Sequence, residues 1–423
     1  MSQTLTAGAD TYQGETNEAI QRIVDAVAAA GGGVARIPAG IYRMHNALHL
    51  RSGVRVVGEE GAVLVKVPSV ASPIADYLGY GFYEFTVQEP EKFCVGMGVR
   101  IADDNAGGFY QTVATIVARQ GDTFFVDRMF AHDYLPDKNG SVASLFPLVV
   151  GYDVTDASVE NLALDGNEEE TRDLNGCRGG GVFLLGSQRV RIEGVEVRNY
   201  RGDAVSFQQC TDIQVRRCHL HHNTGTGLHP GSGSVRYLLE ENHVHDNGNF
   251  GLYYCLRTSH SHCLNNRLER NGSAGISIGE RDTDHLIRGN TVVGNEVEGI
   301  VFRPCHARGG DRVIVEGNRI GPNCTRKGDC EILIYDGLHD IHILGNAIEP
   351  GRNAALRVGD RCERLSFAEN TVSGRRQEPT DIAGHAGSVR LERPSQLPPV
   401  GPSALPMDGA RHLHRESLPP WKA

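Results

Sequence analysis

Residues 251–278 read GLYYCLRTSHSHCLNNRLERNGSAGISI, and the fold turns on the distance between the two ends of that stretch. Gly251-Leu252 returns as Gly275-Ile276 after 24 residues. The same pattern stands 24 residues earlier as Gly227-Leu228 and 24 later as Gly299-Ile300. Gly181-Val182 and Ala204-Val205 extend it backwards at intervals of 23, and Glu331-Ile332 and Ala355-Leu356 resume it after an insertion. Asparagines keep step in two columns: Asn242, Asn266, Asn290, Asn318, Asn346 and Asn370, then Asn223, Asn247, Asn271, Asn295 and Asn323. A fixed period of this size marks a solenoid.

Each unit carries short strands with β-branched or leucine residues at inward positions, as in Val235 to Leu239, Val244 and Leu252. A coil of three such strands advances by one inter-strand spacing, about 4.8 Å, so equivalent residues stack in columns. Asparagine suits the corners because it tolerates the left-handed conformation and its amide can bond to the coils above and below. The leucine-rich-repeat pattern is absent, and an antiparallel sandwich would not hold one period over so many units. The expected fold is therefore all-β: a right-handed parallel β-helix with an N-terminal capping helix and a small β insert.

Composition agrees. Glycine supplies 52 of 423 residues, about 12% against an average near 7%, which suits short strands and tight turns. The net charge of -10 carries no basic footprint, so nucleic acid is not an expected partner. No apolar run is long enough to span a bilayer, and no membrane partner is expected. The N-terminus lacks a basic and then apolar leader, which fits a cytoplasmic protein or a trimmed secreted one. Ten scattered cysteines form no C-x-x-C pair, and several occupy strand positions where a thiol acts as a small apolar filler.

Four segments are expected. Residues 1–70 hold the capping helix and first coils, with Ile20, Ile23, Val24 and Val27 at helical spacing before Gly31-Gly32-Gly33. Residues 71–147 form the β insert: a strand at Gly96 to Ile101 and a hairpin of Thr112 to Val117 with Thr123 to Val126. Residues 148–375 form the main β-helix, and 376–423 a proline-rich extended tail.

The segment Thr16-Asn17-Glu18-Ala19-Ile20, followed by Gly31-Gly32-Gly33-Val34-Ala35-Arg36-Ile37-Pro38-Ala39-Gly40-Ile41-Tyr42, resembles the opening of the pectate-lyase-like superfamily. Leu162-Ala163-Leu164-Asp165-Gly166-Asn167 also resembles a segment common there. The resemblance covers roughly residues 15–67 and 148–375. It implies the β-helix fold and a poly- or oligosaccharide partner. Polysaccharide lyases, polygalacturonase-type hydrolases and phage tailspikes share that scaffold, so the reaction stays open. So does a homotrimer that shares sites between subunits.

Strand alternation sorts the outer face, counting each repeat's glycine as zero. Position two presents Phe183, Ser206, His229, Tyr253, Ser277, Val301, Leu333 and Arg357; position four presents Leu185, Gln208, Gly231, Cys255, Gly279, Arg303, Tyr335 and Gly359. Turn residues Arg257, Glu280, Arg281, Asp282 and Asp336 follow. Rings and forked guanidiniums are equipment for sugars and carboxylates. A bland ladder would show Thr, Ser, Lys and Glu instead. The alternative is that these arginines only satisfy Glu280, Asp282, Asp284 and Asp336.

Two mechanisms compete. A lyase needs a base, His229 or Tyr253, and cations such as Arg257, Arg281 and Arg303 to neutralise a uronate. A hydrolase needs two carboxylates, and Glu280 with Asp336 lie about two rungs, roughly 9.6 Å, apart by counting. Gln208, Tyr335, Asp282 and Arg357 are expected to bind substrate, as is Arg178 if the insertion Glu168 to Gly180 brings it over the groove. The leading expectation is β-elimination on an acidic glycan by a polysaccharide lyase. A glycoside hydrolase, a sugar epimerase and a non-catalytic glycan-binding solenoid are the alternatives. Asp282 and Asp284 are the one dense calcium candidate. His219, His221, His243 and His245 stack four imidazoles, but no acid or cysteine visibly completes a shell, so no metal is assigned there.

Overall fold

The computed structural model describes residues 3–6, 16–306 and 309–400. Backbone contacts divide the chain into two units. One comprises Met1–Leu184, Gly194–Ser206 and His221–Gly225; the other comprises Leu185–Glu193, Phe207–Leu220 and Thr226–Ala423.

In the first unit the helix Asn17–Ala29 buries Asn17, Ala19, Ile20, Ile23, Val24 and Val27 along one face, as the spacing requires. The chain leaves it through Gly31 and Gly32. Gly32 has φ +99°, and a Cβ there would lie 2.6 Å from the Gly53 carbonyl oxygen, so only glycine fits. Gly33–Ile37 then pairs in parallel with Gln3–Thr6 on one side and Val54–Gly58 on the other. Gly40–Met44, Ala62–Lys66, Ala163–Asp165 and Glu196–Arg198 make a second parallel run. The insert is a six-stranded antiparallel sheet, from Ala71–Pro73 to Ser141–Ala143, and contains the expected hairpin, here Thr112–Gln120 with Thr123–Val126. It has its own apolar core around Phe85, Phe93, Phe124, Phe130 and Tyr134.

In the second unit three parallel sheets stack coil on coil. Six-residue strands at Val235–Glu240, Ser259–Leu264, Thr283–Arg288 and Asp311–Glu316 stand each in register with the next. Inward positions fill the core: Leu252, Ile276, Ile278, Ile300, Phe302 and Ile332 are buried, as are the thiols of Cys210, Cys263 and Cys330. The sheets continue past residue 376 through Ile382–Gly384 and Val389–Arg390. Part of the segment expected as an extended tail is therefore paired, and residues 401–423 of it lie outside the described residues.

Both asparagine columns form ladders. The Asn242 backbone amide and side-chain amide each donate to Asn266 Oδ1, at 3.0 and 2.9 Å, and the pattern repeats through Asn290, Asn318, Asn346 and Asn370. The other column runs from Asn247 through Asn271 and Asn295 to Asn323. Each ladder ends on a longer acceptor, Gln377 Oε1 in one and the buried Glu331 carboxylate in the other. One detail differs from the expectation. The left-handed residue is the one before the asparagine (Glu241, Asn265, Arg270), because the ladder side chain itself must turn inward.

Candidate functional site

The outer column of the third sheet is in the expected register. Leu228 pairs with Leu252, Tyr253 with Ser277, Ser277 with Val301, Val301 with Leu333 and Leu333 with Arg357, which puts His229 one rung from Tyr253. This face is not an open surface. His229, Ser277 and Val301 are buried although they point away from the core.

Long side chains lying across it account for that. The His229 and Tyr253 rings meet edge to face with centroids 5.4 Å apart. Phe250 stacks on Tyr253 from the preceding turn, at 4.9 Å and 27°. The Arg303 guanidinium carbon sits 4.0 Å from the Tyr253 ring centroid, a cation–π contact. Arg303 reaches it because Gly279 leaves a gap: a Cβ there would lie within 2.4 Å of the Arg303 Nε. Arg303 Nη2 donates to the carbonyls of Tyr254 at 2.7 Å and Cys255 at 3.2 Å. Its charge lies 3.7 Å from Asp282 Oδ2.

Asp282 is wholly buried. Its carboxylate accepts from the Thr258 amide and hydroxyl and from the Gly279 amide. Burial pushes its carboxyl up to about 6, against the pull of these donors and of Arg303. Asp282 thus braces the turn under Arg303 from a fully buried position, where a substrate-binding residue was expected. Asp284 is engaged elsewhere, by a bidentate Arg312 that helps hold its carboxyl low despite burial. The two carboxylates serve different partners and frame no shared calcium cradle.

The remaining candidates divide. Arg257 and Arg281 occupy equivalent left-handed turn positions on adjacent coils, fixed by the Ser259–Thr283 pair two residues on. Arg281 is exposed and lies 3.7 Å from Glu280. Glu280 accepts the His306 amide at 2.9 Å, and Asp336 accepts the Asp360 amide at 2.9 Å. Arg357 is spent on a bidentate ion pair with Asp329. Tyr335 is exposed. Gln208 is fully buried, its side chain filling the space that Gly231 leaves. Arg178, in the first unit, donates to the Phe109 carbonyl of the insert. Hence Gln208, Arg178 and Arg357 make protein contacts where substrate contacts were expected. Phe250 lies outside the outer-face positions that the repeat defines. Gly279 carried a signal, being one of the glycines at position four of the repeat.

The stacked parallel coils place the protein in the class of right-handed parallel β-helices, and the resemblance to the pectate-lyase-like superfamily holds at the level of fold. Residues 155–303 match the family model described as the right handed beta helix region. Among solved structures the chain is similar to the A-module of the Azotobacter vinelandii mannuronan C-5 epimerase AlgE4, with TM-score 0.59 and 17% identity over 92% of this chain and 100% of that one. The AlgE6 A-module from the same organism gives TM-score 0.57 and 17% identity, over 90% of this chain and 96% of that one. At this identity the likeness is one of fold. No curated protein matches the chain in sequence.

Proposed function

We propose that the chain acts on an acidic poly- or oligosaccharide by removing the proton next to a uronate carboxylate, with β-elimination as the outcome. The observation that supports this is the braced His229–Tyr253–Arg303 cluster, a titratable pair on a rigid face with arginines on the adjoining turns. Tyr253 is part-exposed and stands over buried His229, so its hydroxyl is the group that meets the sugar. The base takes the C5 proton; the electron pair forms the C4–C5 double bond and expels the C4 oxygen, which takes up a proton. Arg257 and Arg281 neutralise the carboxylate as charge builds on it. Arg303 acts as a positioning residue, since its polar contacts go to two carbonyls and the Tyr253 ring.

A hydrolase based on Glu280 and Asp336 is less well supported, because each carboxylate already accepts a backbone amide. The test is turnover of a uronate-glycan panel that includes mannuronan, pectate and glucuronan. Ultraviolet absorbance of an unsaturated uronate that vanishes in Tyr253→Phe supports the proposal. New reducing ends without that absorbance support the hydrolase. Deuterium exchange at C5 with inversion and no cleavage identifies an epimerase, and binding without turnover a recognition solenoid.

A further inference from the structure

The second unit carries another cluster, on a different sheet, that the proposed reaction does not use. His219, His243 and His245 each direct one ring nitrogen into a space where all three lie within 4.8 Å of one another. His219 Nε2 and His245 Nε2 are 2.7 Å apart. The His219 and His243 rings stack at 5.3 Å and 10°, and His243 and His245 lie with centroids 4.2 Å apart. Sequence spacing stacks these residues but shows no acid to complete them. The structure supplies two. His245 Nδ1 is 2.6 Å from Asp246 Oδ2, and His243 Nε2 is 3.3 Å from Glu269 Oε2.

That arrangement is how proteins present imidazole to a metal: one ring N–H donates to a carboxylate, which turns the other nitrogen, lone pair outward, to the ion. Asp246 is itself held in place by Arg270, which donates to both of its carboxylate oxygens at 3.0 and 2.7 Å. Glu269 is clasped by Arg267 and Arg270. The two carboxylates and two guanidiniums cancel in charge, so affinity rests on the nitrogen donors.

We propose that His219, His243 and His245 form a binding site for a borderline divalent ion of the zinc class, with Asp246 and Glu269 as orienting groups. Three nitrogens favour zinc over calcium or magnesium, which prefer oxygen. Zinc–nitrogen bonds of about 2.0–2.1 Å place tetrahedral nitrogens about 3.3–3.4 Å apart. The 2.7 Å pair opens slightly to reach that spacing, and exposed His219 has the freedom to close the longer separations. The ion takes the place of the hydrogen bond between the two Nε2 atoms.

The test is calorimetric titration of the metal-free full chain with zinc chloride, beside calcium chloride. The expected result is one zinc site that calcium does not occupy, lost in His243→Ala and in His245→Ala. Asp246→Asn, which keeps the ligands, is expected to weaken it about tenfold. His306→Ala, a change at an exposed imidazole outside the cluster, leaves it unchanged. Circular dichroism and melting of each metal-free variant separate lost binding from lost fold. Absence of zinc binding in the wild type overturns the proposal. So does zinc binding that persists in His243→Ala and His245→Ala, which would place the ion elsewhere on the chain.

Discussion

Arg303 and Tyr253 belong to coils two rungs apart, yet the guanidinium carbon lies 4.0 Å from the centroid of the ring. Neither coil arranges this alone. The intervening coil offers only Ser277 and Gly279 on its outer face, so two long side chains meet over it.

Gly279→Ala tests that relationship. A methyl group there overlaps the guanidinium, and overpacking of this kind costs about 1–3 kcal/mol. The variant is expected to melt lower and to lose turnover on any uronate substrate. Arg303→Ala is expected to lose turnover similarly while Ser277→Ala keeps it. Retained activity in Arg303→Ala would remove Arg303 from the site.

The asparagine ladders are expected to fail from the middle. Asn290 Oδ1 accepts from the Asn266 amide at 2.8 Å and from its side chain at 3.0 Å, both buried. Asn290→Ala strands those donors, at about 1–3 kcal/mol for each unsatisfied group. Asn370→Ala, next to the end of the same ladder, is expected to cost less. Chemical denaturation of the two variants measures the difference.

Asp282 and Lys66 are expected to bend the stability profile in opposite directions. The folded Asp282 carboxyl titrates at about 6, above its ordinary 3.8, so the folded chain holds more protons between those values. Stability from this group falls as pH rises from about 4 through about 6 and is then level. Asp282→Asn removes that slope, so its melting temperature relative to wild type improves between pH 4.5 and 7.

Lys66 is buried over the Phe146 and Tyr200 rings and donates to the Phe146 carbonyl at 3.0 Å. Burial lowers its ammonium from 10.5 to about 7. The folded chain therefore holds fewer protons between pH 7 and 10.5, and stability from this group rises across that window. Lys66→Met is expected to raise the melting temperature near pH 7 and to flatten its climb toward pH 9. A wild-type melting curve that already lies flat over that range would count against a buried charge here.

The period written by Gly227, Gly251, Gly275 and Gly299 determined the solenoid, because stacked coils force chemically equivalent residues to recur at equal intervals. It determined both asparagine columns and the column holding His229 and Tyr253. Helical spacing of Ile20, Ile23, Val24 and Val27 likewise placed the hydrophobic face of the first helix. Tertiary structure decided which members of those columns are available. Gln208 points outward by periodicity and Asp282 falls in the turn after its strand, yet both are fully buried. Asp246 and Glu269 read as ordinary surface acids until the fold sets them beside His245 and His243. A repeat specifies the direction of a side chain through its Cα–Cβ bond. Where the far end of an arginine, histidine or carboxylate comes to rest depends on gaps and partners one or two rungs away.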